Sequence, residues 1–238
     1  MITLEPAAAN TMISRGFAFL HAPESRRWLE EFGRLGDWNK FTASWDAMQR
    51  DTYMRDGGRY RRRRHAIFAT RPGEPVRRCA HAPHFQTLDY NNLNGGIRRW
   101  FEPMPPAIGA SETLGTILRA TRSLFDDLRP GTSWHVELHQ FRIEAQLGEA
   151  GQPTPEGMHR DGVDYVLVLL IGRRNIASGT TTIHDLGGRT LGSFTLTVPL
   201  DAALVDDCRV FHGVTPVEPL VAGAPAFRDV LVVTYRAR

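Results

Sequence analysis

His159-Arg160-Asp161-Gly162-Val163-Asp164-Tyr165-Val166-Leu167-Val168-Leu169-Leu170-Ile171 sets two metal-type side chains directly ahead of a strand. Val163 to Ile171 is rich in strand formers, and Val166 to Ile171 is the longest apolar run in the chain, the pattern of a buried strand. Residues two apart in extended backbone point the same way, so the imidazole of His159 and the carboxylate of Asp161 can face one ion. Alone, this spacing is weak, because a loop histidine and a turn aspartate produce it by chance.

Working outward, the strand signals continue on both sides. Trp134 to Ile143 alternates upstream. Thr180 to His184, Thr190 to Val198 (after the Gly187-Gly188 turn), Ala202 to Val205, Arg209 to His212 and Asp229 to Tyr235 follow downstream. So many short strands with hardly any helix predict a sandwich or barrel. Before Pro130-Gly131 the character changes. Pro23 to Leu35 places Trp28, Leu29, Phe32 and Leu35 on one helical face, and Ser111 to Leu128 places Leu114, Ile117, Leu118, Thr121, Leu124, Phe125 and Leu128 on another. A short helix is expected over Ile97 to Phe101. The expected class is therefore α+β, a single domain over 1–238. About 1–130 supplies mostly helical support and substrate loops packed on one sheet, and about 131–238 forms a β-barrel core.

Composition narrows the classes. With 42% hydrophobic and 23% charged residues, the chain is ordinary for a globular protein rather than a disordered one. Cys79 and Cys208 stand apart with no CxxC pairing, which argues against a disulfide framework or a cysteine zinc site. No secretory signal opens the chain, and the longest apolar run is far short of the ~20 residues of a membrane helix. A cytoplasmic protein with no membrane partner is expected. The net charge is only +3, too small to point to nucleic acid.

The chemistry concentrates in the β half. His212 lies on a later strand and precedes Gly213, which permits close backbone approach. With His159 and Asp161 it completes a two-histidine, one-carboxylate set, which on iron(II) leaves positions open for substrate and oxygen. Arg228, at the start of the last strand, can grip a carboxylate bidentately. A dication, one carboxylate and a bound dicarboxylate would leave a single negative charge, which Arg228 would neutralise.

Other groups compete. His135-Val136-Glu137-Leu138-His139 puts two histidines and a glutamate on one strand face, as a cupin metal site would; the bland alternative is a solvent-facing or supporting set. Gln140 and Arg142 continue that strand on the side of its apolar residues and are candidates to enter the cavity. His184-Asp185 reads as a hairpin end. Asp206 and Asp207 could orient a ligand histidine, though such a pair more often makes a turn. Arg59-Tyr60-Arg61-Arg62-Arg63-Arg64-His65 could meet RNA, with Tyr53 and Tyr60 stacking. It reads better as a solvated face on a strand leading into Ile67 and Phe68, or as a source of one arginine for a substrate carboxylate. Asp89 to Gly96, with Tyr90 and Asn91, suits a lid or recognition loop.

The segments HRDGVDYVLVLLIGRRNI (159–176), LVDDCRVFHGVTPV (204–217), FRDVLVVTYR (227–236) and HFQTLDYNNLNGGIRRWFEPM (84–104) resemble one family. It is the bacterial 2-oxoglutarate/iron(II) dioxygenase family of the L-isoleucine hydroxylase type, which also contains the biofilm, stress and motility (BsmA) proteins. The likeness runs from about residue 50 onward. It implies a double-stranded β-helix (a jelly-roll, cupin-like barrel), with His159, Asp161 and His212 as ligands and Arg228 on the far carboxylate of 2-oxoglutarate. It further implies iron(II), 2-oxoglutarate and dioxygen as reactants, and hydroxylation or sulfoxidation of a small molecule, a free aliphatic L-amino acid. Tyr90, Asn91, Gln140 and Arg142 are the expected substrate contacts. One departure stands out: related superfamilies often carry Ser or Thr two residues after the arginine, where this chain has Val230, with Thr215 or Tyr235 as possible substitutes. The alternative function is a non-catalytic metal- or ligand-binding barrel with a regulatory role.

Overall fold

A computed structural model of the chain describes residues 4–238. Its first half contributes helices α1 (Leu4–Arg15), α2 (Ala22–Phe32), α3 (Trp38–Ala43), α4 (Pro106–Gly109) and α5 (Glu112–Leu128). The same half holds strands β1 (Phe17–Leu20), β2 (Arg61–Thr70), β3 (Arg77–Arg78) and β4 (Glu102–Pro103). Then come β5 (Trp134–Glu144), β6 (Tyr165–Arg174), β7 (Ile176–Ser178), β8 (Thr180–Asp185) and β9 (Thr190–Thr195). The last are β10 (Ala202–Asp206), β11 (Val210–Val214), β12 (Val217–Pro219) and β13 (Phe227–Ala237).

The major sheet runs β1-β10-β6-β13-β5-β2-β3, with β4 beside β2; a smaller sheet runs β11-β8-β9, and β12 pairs with β7. Every pairing is antiparallel except that of β2 with β4. Two facing antiparallel sheets with helices on the outside of the larger one give the double-stranded β-helix expected from the sequence.

The helices form for the reasons their spacing suggests. On α5, Leu114, Ile117, Leu118, Leu124 and Phe125 are all buried, and the Ser111 hydroxyl caps the first turn by accepting from Leu114 N at 3.3 Å. Helix α2 stops at Phe32, short of Leu35, where Gly33 turns to extended backbone and α5 side chains bond the carbonyls around the end. Arg119 Nε donates to Phe32 O at 2.8 Å and the Thr116 hydroxyl to Arg34 O at 2.8 Å.

Two expectations fail. Ile97 to Phe101 is not a helix: Arg99 exchanges backbone hydrogen bonds with His84 at 2.9 and 3.0 Å, so the segment is extended and Phe101 is buried while Trp100 is exposed. The first half carries five helices and also supplies a full strand to the major sheet, for β2 pairs with β5 along its whole length, from Arg61↔Ile143 to Thr70↔Trp134. A strand leading into Ile67 and Phe68 is what the sequence suggests, and β2 begins inside the arginine run. The run is not a solvated face, since Arg61, Arg63 and Arg64 are 5–6% exposed.

The main core lies between the helices and the outer face of the major sheet. Trp134, Val136 and Leu138 of β5, Leu167 and Leu169 of β6, and Leu231, Val233 and Tyr235 of β13 pack there against Trp28, Leu29, Ile117, Leu124 and Phe125. Each such side chain contributes roughly 1.5–3 kcal/mol when fully buried. The opposite residues of the same strands face the smaller sheet, where Val166, Val205, Ile183 and Val210 form a second cluster.

This assignment of faces overturns the placement of Gln140 and Arg142. They share a side with Trp134, Val136 and Leu138, and that side looks toward the helices. Gln140 Nε2 donates to Ser44 Oγ at 2.8 Å, while Arg142 forks onto Asp229 at 2.8 and 2.7 Å and reaches Asp46 at 2.7 Å. Asp229 is 3% exposed, and burial pushes its carboxyl up to about 6 despite the guanidinium beside it. Arg142→Met should therefore cost about 3–5 kcal/mol in urea unfolding, by leaving a buried carboxylate without its partner. Its Michaelis constants should stay unchanged, whereas a rise for the oxidised substrate would return Arg142 to the site. Among the described residues no helix is long and apolar enough to cross a membrane.

Candidate active site

The inner faces of both sheets enclose a cavity of about 290 Å³. His159, Asp161 and His212 stand on its wall, each with one ligand atom inside a cluster no wider than 4.8 Å. The backbone builds this convergence. His159 and His212 form a lone antiparallel bridge, each N–H donating to the other's carbonyl at 2.9 Å, so the two imidazoles lie side by side with ring centres 4.5 Å apart. Gly213 suits the bridge, because a side chain there would sit tightly against Met158 Cα at 3.3 Å. Asp161 completes the set, with Oδ1 3.7 Å from His159 Nε2 and Oδ2 3.7 Å from His212 Nε2. Gly162 has φ +78° and its missing side chain leaves room for the Tyr90 ring, so it fits the turn on both counts.

Asp207 holds that turn. Its carboxylate accepts from the backbone N–H groups of Asp161 (2.9 Å), Gly162 (2.8 Å) and Val163 (3.1 Å), and Oδ1 lies 4.0 Å from His212 Nδ1. The turn that the sequence favours for Asp206-Asp207 is present, with Arg209 N donating to Asp206 O at 3.0 Å, and Asp207 also stands behind the segment that carries His159 and Asp161. Burial and the charge of Asp161 raise its carboxyl to about 7. Burial also raises Asp161, but the two imidazoles facing it, His159 first, outweigh burial and keep this carboxyl ionised. Burial lowers His159 as well, yet Asp161 carries it up to about 9, while burial and the neighbouring His159 push His212 down to about 4. One imidazole is thus available as a neutral donor beside an ionised carboxylate. Asp207→Ala would strand up to three backbone donors, costing about 1–3 kcal/mol in urea unfolding. It should also weaken iron(II) binding about 10- to 100-fold in a competition titration. Unchanged iron affinity would reduce Asp207 to a structural turn residue.

Arg228 lines the same cavity, 2% exposed, with Nε and Nη2 lacking any hydrogen-bond partner. Burial and the nearby Arg173 push its guanidinium down to about 10, so it is a charged group in want of an anion. Of the possible hydroxyl partners, Tyr235 faces the helices and bonds Thr121 at 2.8 Å, and Thr215 is exposed and bonds Thr180 N at 2.9 Å. Thr181 lines the cavity instead, on β8, close to Gly179 where the Arg228 stem passes. Tyr90 and Asn91 also line it. The Asn91 side chain is engaged within its own loop, accepting from Asn94 N at 2.6 Å and donating to Gln86 Oε1 at 3.3 Å.

The residues His135, Glu137 and His139 point into the cavity, where they meet two histidines from distant segments. His65, His84, Glu137 and His139 form a second group of ligand-type atoms. Arg63 decides what this group is. Its Nη2 and Nε approach His139 Nδ1 at 3.1 and 3.4 Å. A guanidinium only donates, so Nδ1 accepts and the His139 proton sits on Nε2, turned toward Glu137 at 3.6 Å. That nitrogen has no lone pair left for a cation. His65 and His135 also reach Glu137 at 3.0 Å, and His84 bonds it too. Burial alone would raise the Glu137 carboxyl, but these bonds together hold it far below the carboxylate range. The group is a hydrogen-bonded hub around one anion.

Comparison with known proteins agrees with this architecture. A 3(1)-hydroxy-L-isoleucine 4-dioxygenase of Pantoea ananatis (strain AJ13355) is 28% identical over 157 residues, 65% of this chain and 64% of that protein, so the match spans just under two thirds of that relative. A bsmA homolog from Methylobium petroleophilum PM1, whose crystal structure is known, is 36% identical with a TM-score of 0.89, covering 98% of this chain and 92% of that one. IDO from Bacillus thuringiensis shares the fold at 18% identity, with a TM-score of 0.80 over 100% of this chain and 97% of that one. The 2OG-Fe dioxygenase family matches residues 42–234, which take in the major sheet from β2 through most of β13 and all of the cavity wall except Arg236. The chain therefore belongs to the 2OG-Fe dioxygenase family, whose chemistry uses iron(II), 2-oxoglutarate and dioxygen.

Proposed function

We propose that this protein is an iron(II)- and 2-oxoglutarate-dependent dioxygenase that oxidises a free aliphatic L-amino acid, with His159, Asp161 and His212 holding the metal. The observation that carries the reading is the convergence of those three ligand atoms on a cavity that also contains the unpartnered Arg228. Arg228 takes the far carboxylate of 2-oxoglutarate. Bound there, iron and 2-oxoglutarate would supply the oxidising power, one atom of dioxygen going to succinate with release of carbon dioxide and the other to a C–H bond or a sulfur of the substrate.

The chain does the rest. Asp207 fixes the ligand turn, and the His159–His212 bridge fixes the spacing of the imidazoles. Val168, Val205, Val214, Val230 and Val232 give the cavity an apolar wall that sheds water and accepts an aliphatic side chain. The relative that acts on 3(1)-hydroxy-L-isoleucine supports an amino acid as the substrate class.

The test is an anaerobic titration with iron(II) and 2-oxoglutarate, followed in the visible for the metal-to-ligand charge-transfer band. Aerobic incubation with L-isoleucine, L-leucine, L-valine and L-methionine follows, counting succinate against oxidised amino acid. A band with matched yields supports the reading. Iron binding with no band would favour a non-catalytic metal-binding barrel.

A further inference from the structure

Apart from Arg228, two more guanidiniums are buried on the cavity wall without a carboxylate. Arg63 is 6% and Arg99 1% exposed, and among the described residues neither takes part in an ion pair. Their neighbour Arg61 differs, for Asp51 neutralises it at 2.7 Å. Arg99 donates through Nη2 to Gln86 Oε1 at 2.9 Å, but its Nε has no partner. Arg63 spends one edge on His139, while its plane is fixed between the Phe101 ring (3.8 Å) and the Phe141 ring (4.6 Å). The Arg99 guanidinium lies 5.5 Å from the centre of the same Phe101 ring. Uncompensated cations held rigidly in one desolvated place are what an anion receptor looks like before its anion arrives.

This place is distinct from that of Arg228. Strand register sets Arg228 opposite Ile143, and Ile143 opposite Arg61, with Arg63 one inward-facing step further along β2. Two strand spacings across the sheet and a two-residue step along it therefore separate Arg63 from Arg228, roughly 12 Å between backbones. Three carboxylates line the cavity: Asp161, Glu137 and Glu156. Asp161 belongs to the metal cluster, and Glu137 is occupied by its ring of histidines. Glu156 remains. Its Oε2 is buried with no hydrogen-bond partner, its Oε1 is 3.5 Å from His159 Nε2, and its charge is felt at Arg99.

We propose that Arg63 and Arg99 receive the α-carboxylate of the substrate and that Glu156 receives its α-ammonium, so that the zwitterion is read at both ends. The assignment rests on the amino-acid reading above and names the groups that impose it. Burial and the surrounding arginines push the Arg63 guanidinium well below its usual value, and burial with Arg61 brings Arg99 down to about 10. A bound carboxylate relieves both. With Glu156 beside His159, the α-carbon is held close to the metal cluster and the aliphatic side chain is left to the valine wall.

The test needs no variant at its first stage. L-Isoleucine, L-leucine, L-valine and L-methionine, their amides, and 3-methylpentanoate are titrated calorimetrically into the anaerobic iron(II)–2-oxoglutarate enzyme. The acids should bind about 10- to 100-fold more tightly than their amides, and 3-methylpentanoate should lose a similar factor relative to L-isoleucine. Arg63→Lys, Arg99→Lys and Glu156→Gln should each weaken amino-acid binding by about tenfold or more while the dissociation constant of 2-oxoglutarate stays constant, which also certifies the fold. Amino acids that bind and are oxidised equally well as acids and amides, and by all three variants, would overturn the inference and leave the proposed function standing. If no amino acid binds but 3-methylpentanoate does, and Arg63→Lys weakens it, the carboxylate receptor stands and the amino-acid reading falls. If neither binds, the receptor is refuted.

Discussion

Asp161→Ala should bind iron(II) more than about 100-fold more weakly than the natural chain and form no succinate above background. Loss of a partner standing behind a ligand costs up to about that factor, and Asp161 is the proposed charged ligand itself. Two neutral imidazoles would remain, 4.5 Å apart between ring centres, with no anion facing the cation from the same side. The fold should survive, because Asp207 bonds the backbone of residues 161–163 and not the Asp161 side chain. An unchanged urea m-value would show this. Iron competition titration and succinate assay together read the outcome. Retained turnover would transfer the carboxylate role to Glu156, 3.5 Å from His159 Nε2, and would remove that residue from substrate recognition.

How far the sequence discloses this site depends on the range of the contacts. His159 and Asp161 were legible because the pair is local and stands before an apolar strand. His212 is legible because Gly213 follows it, and that glycine lets Met158 pack closely beside the bridge. The strand alternation was also legible, since it separates Trp134, Val136 and Leu138 from His135, Glu137 and His139. It does not say which set meets the helices. Both faces of β5 are buried, and the apolar row goes to the helix layer because the larger core lies there. That is why the pattern of β5 alone points Gln140 and Arg142 into the cavity, whereas they face the helix layer. The role of Asp207 was hidden for another reason: the backbone groups it serves lie 44–46 residues earlier. Arg63, Arg99 and Glu156 come from three segments that only the barrel brings together. Within the arginine run, strand alternation alone divides Arg61 and Arg63, which line the cavity, from Arg62 and Arg64, which bond the carbonyls of Met48, Ser44 and Ala47.

Arg228→Met should raise the dissociation constant of 2-oxoglutarate by two to three orders of magnitude, about 3–4 kcal/mol, while iron(II) still binds. The size follows from burial. At 2% exposure, with Nε and Nη2 unpartnered, Arg228 meets a carboxylate with almost no water to displace, and its fork makes both bonds at once. The same facts set the sign of a second effect. Without 2-oxoglutarate the chain keeps a buried cation that no carboxylate neutralises, beside Arg173, and burial has already moved it down to about 10. An apolar side chain of similar length removes that penalty, so the variant should unfold at an equal or higher urea concentration than the natural chain when both are free of 2-oxoglutarate. Addition of 2-oxoglutarate should then stabilise the natural chain and leave the variant unmoved. Arg228→Lys should recover part of the affinity, keeping the charge and losing the fork. A variant that loses stability and 2-oxoglutarate binding together would mark Arg228 as a packing residue. One that gains stability while losing the ligand would show a cation kept in the barrel for the dicarboxylate it holds.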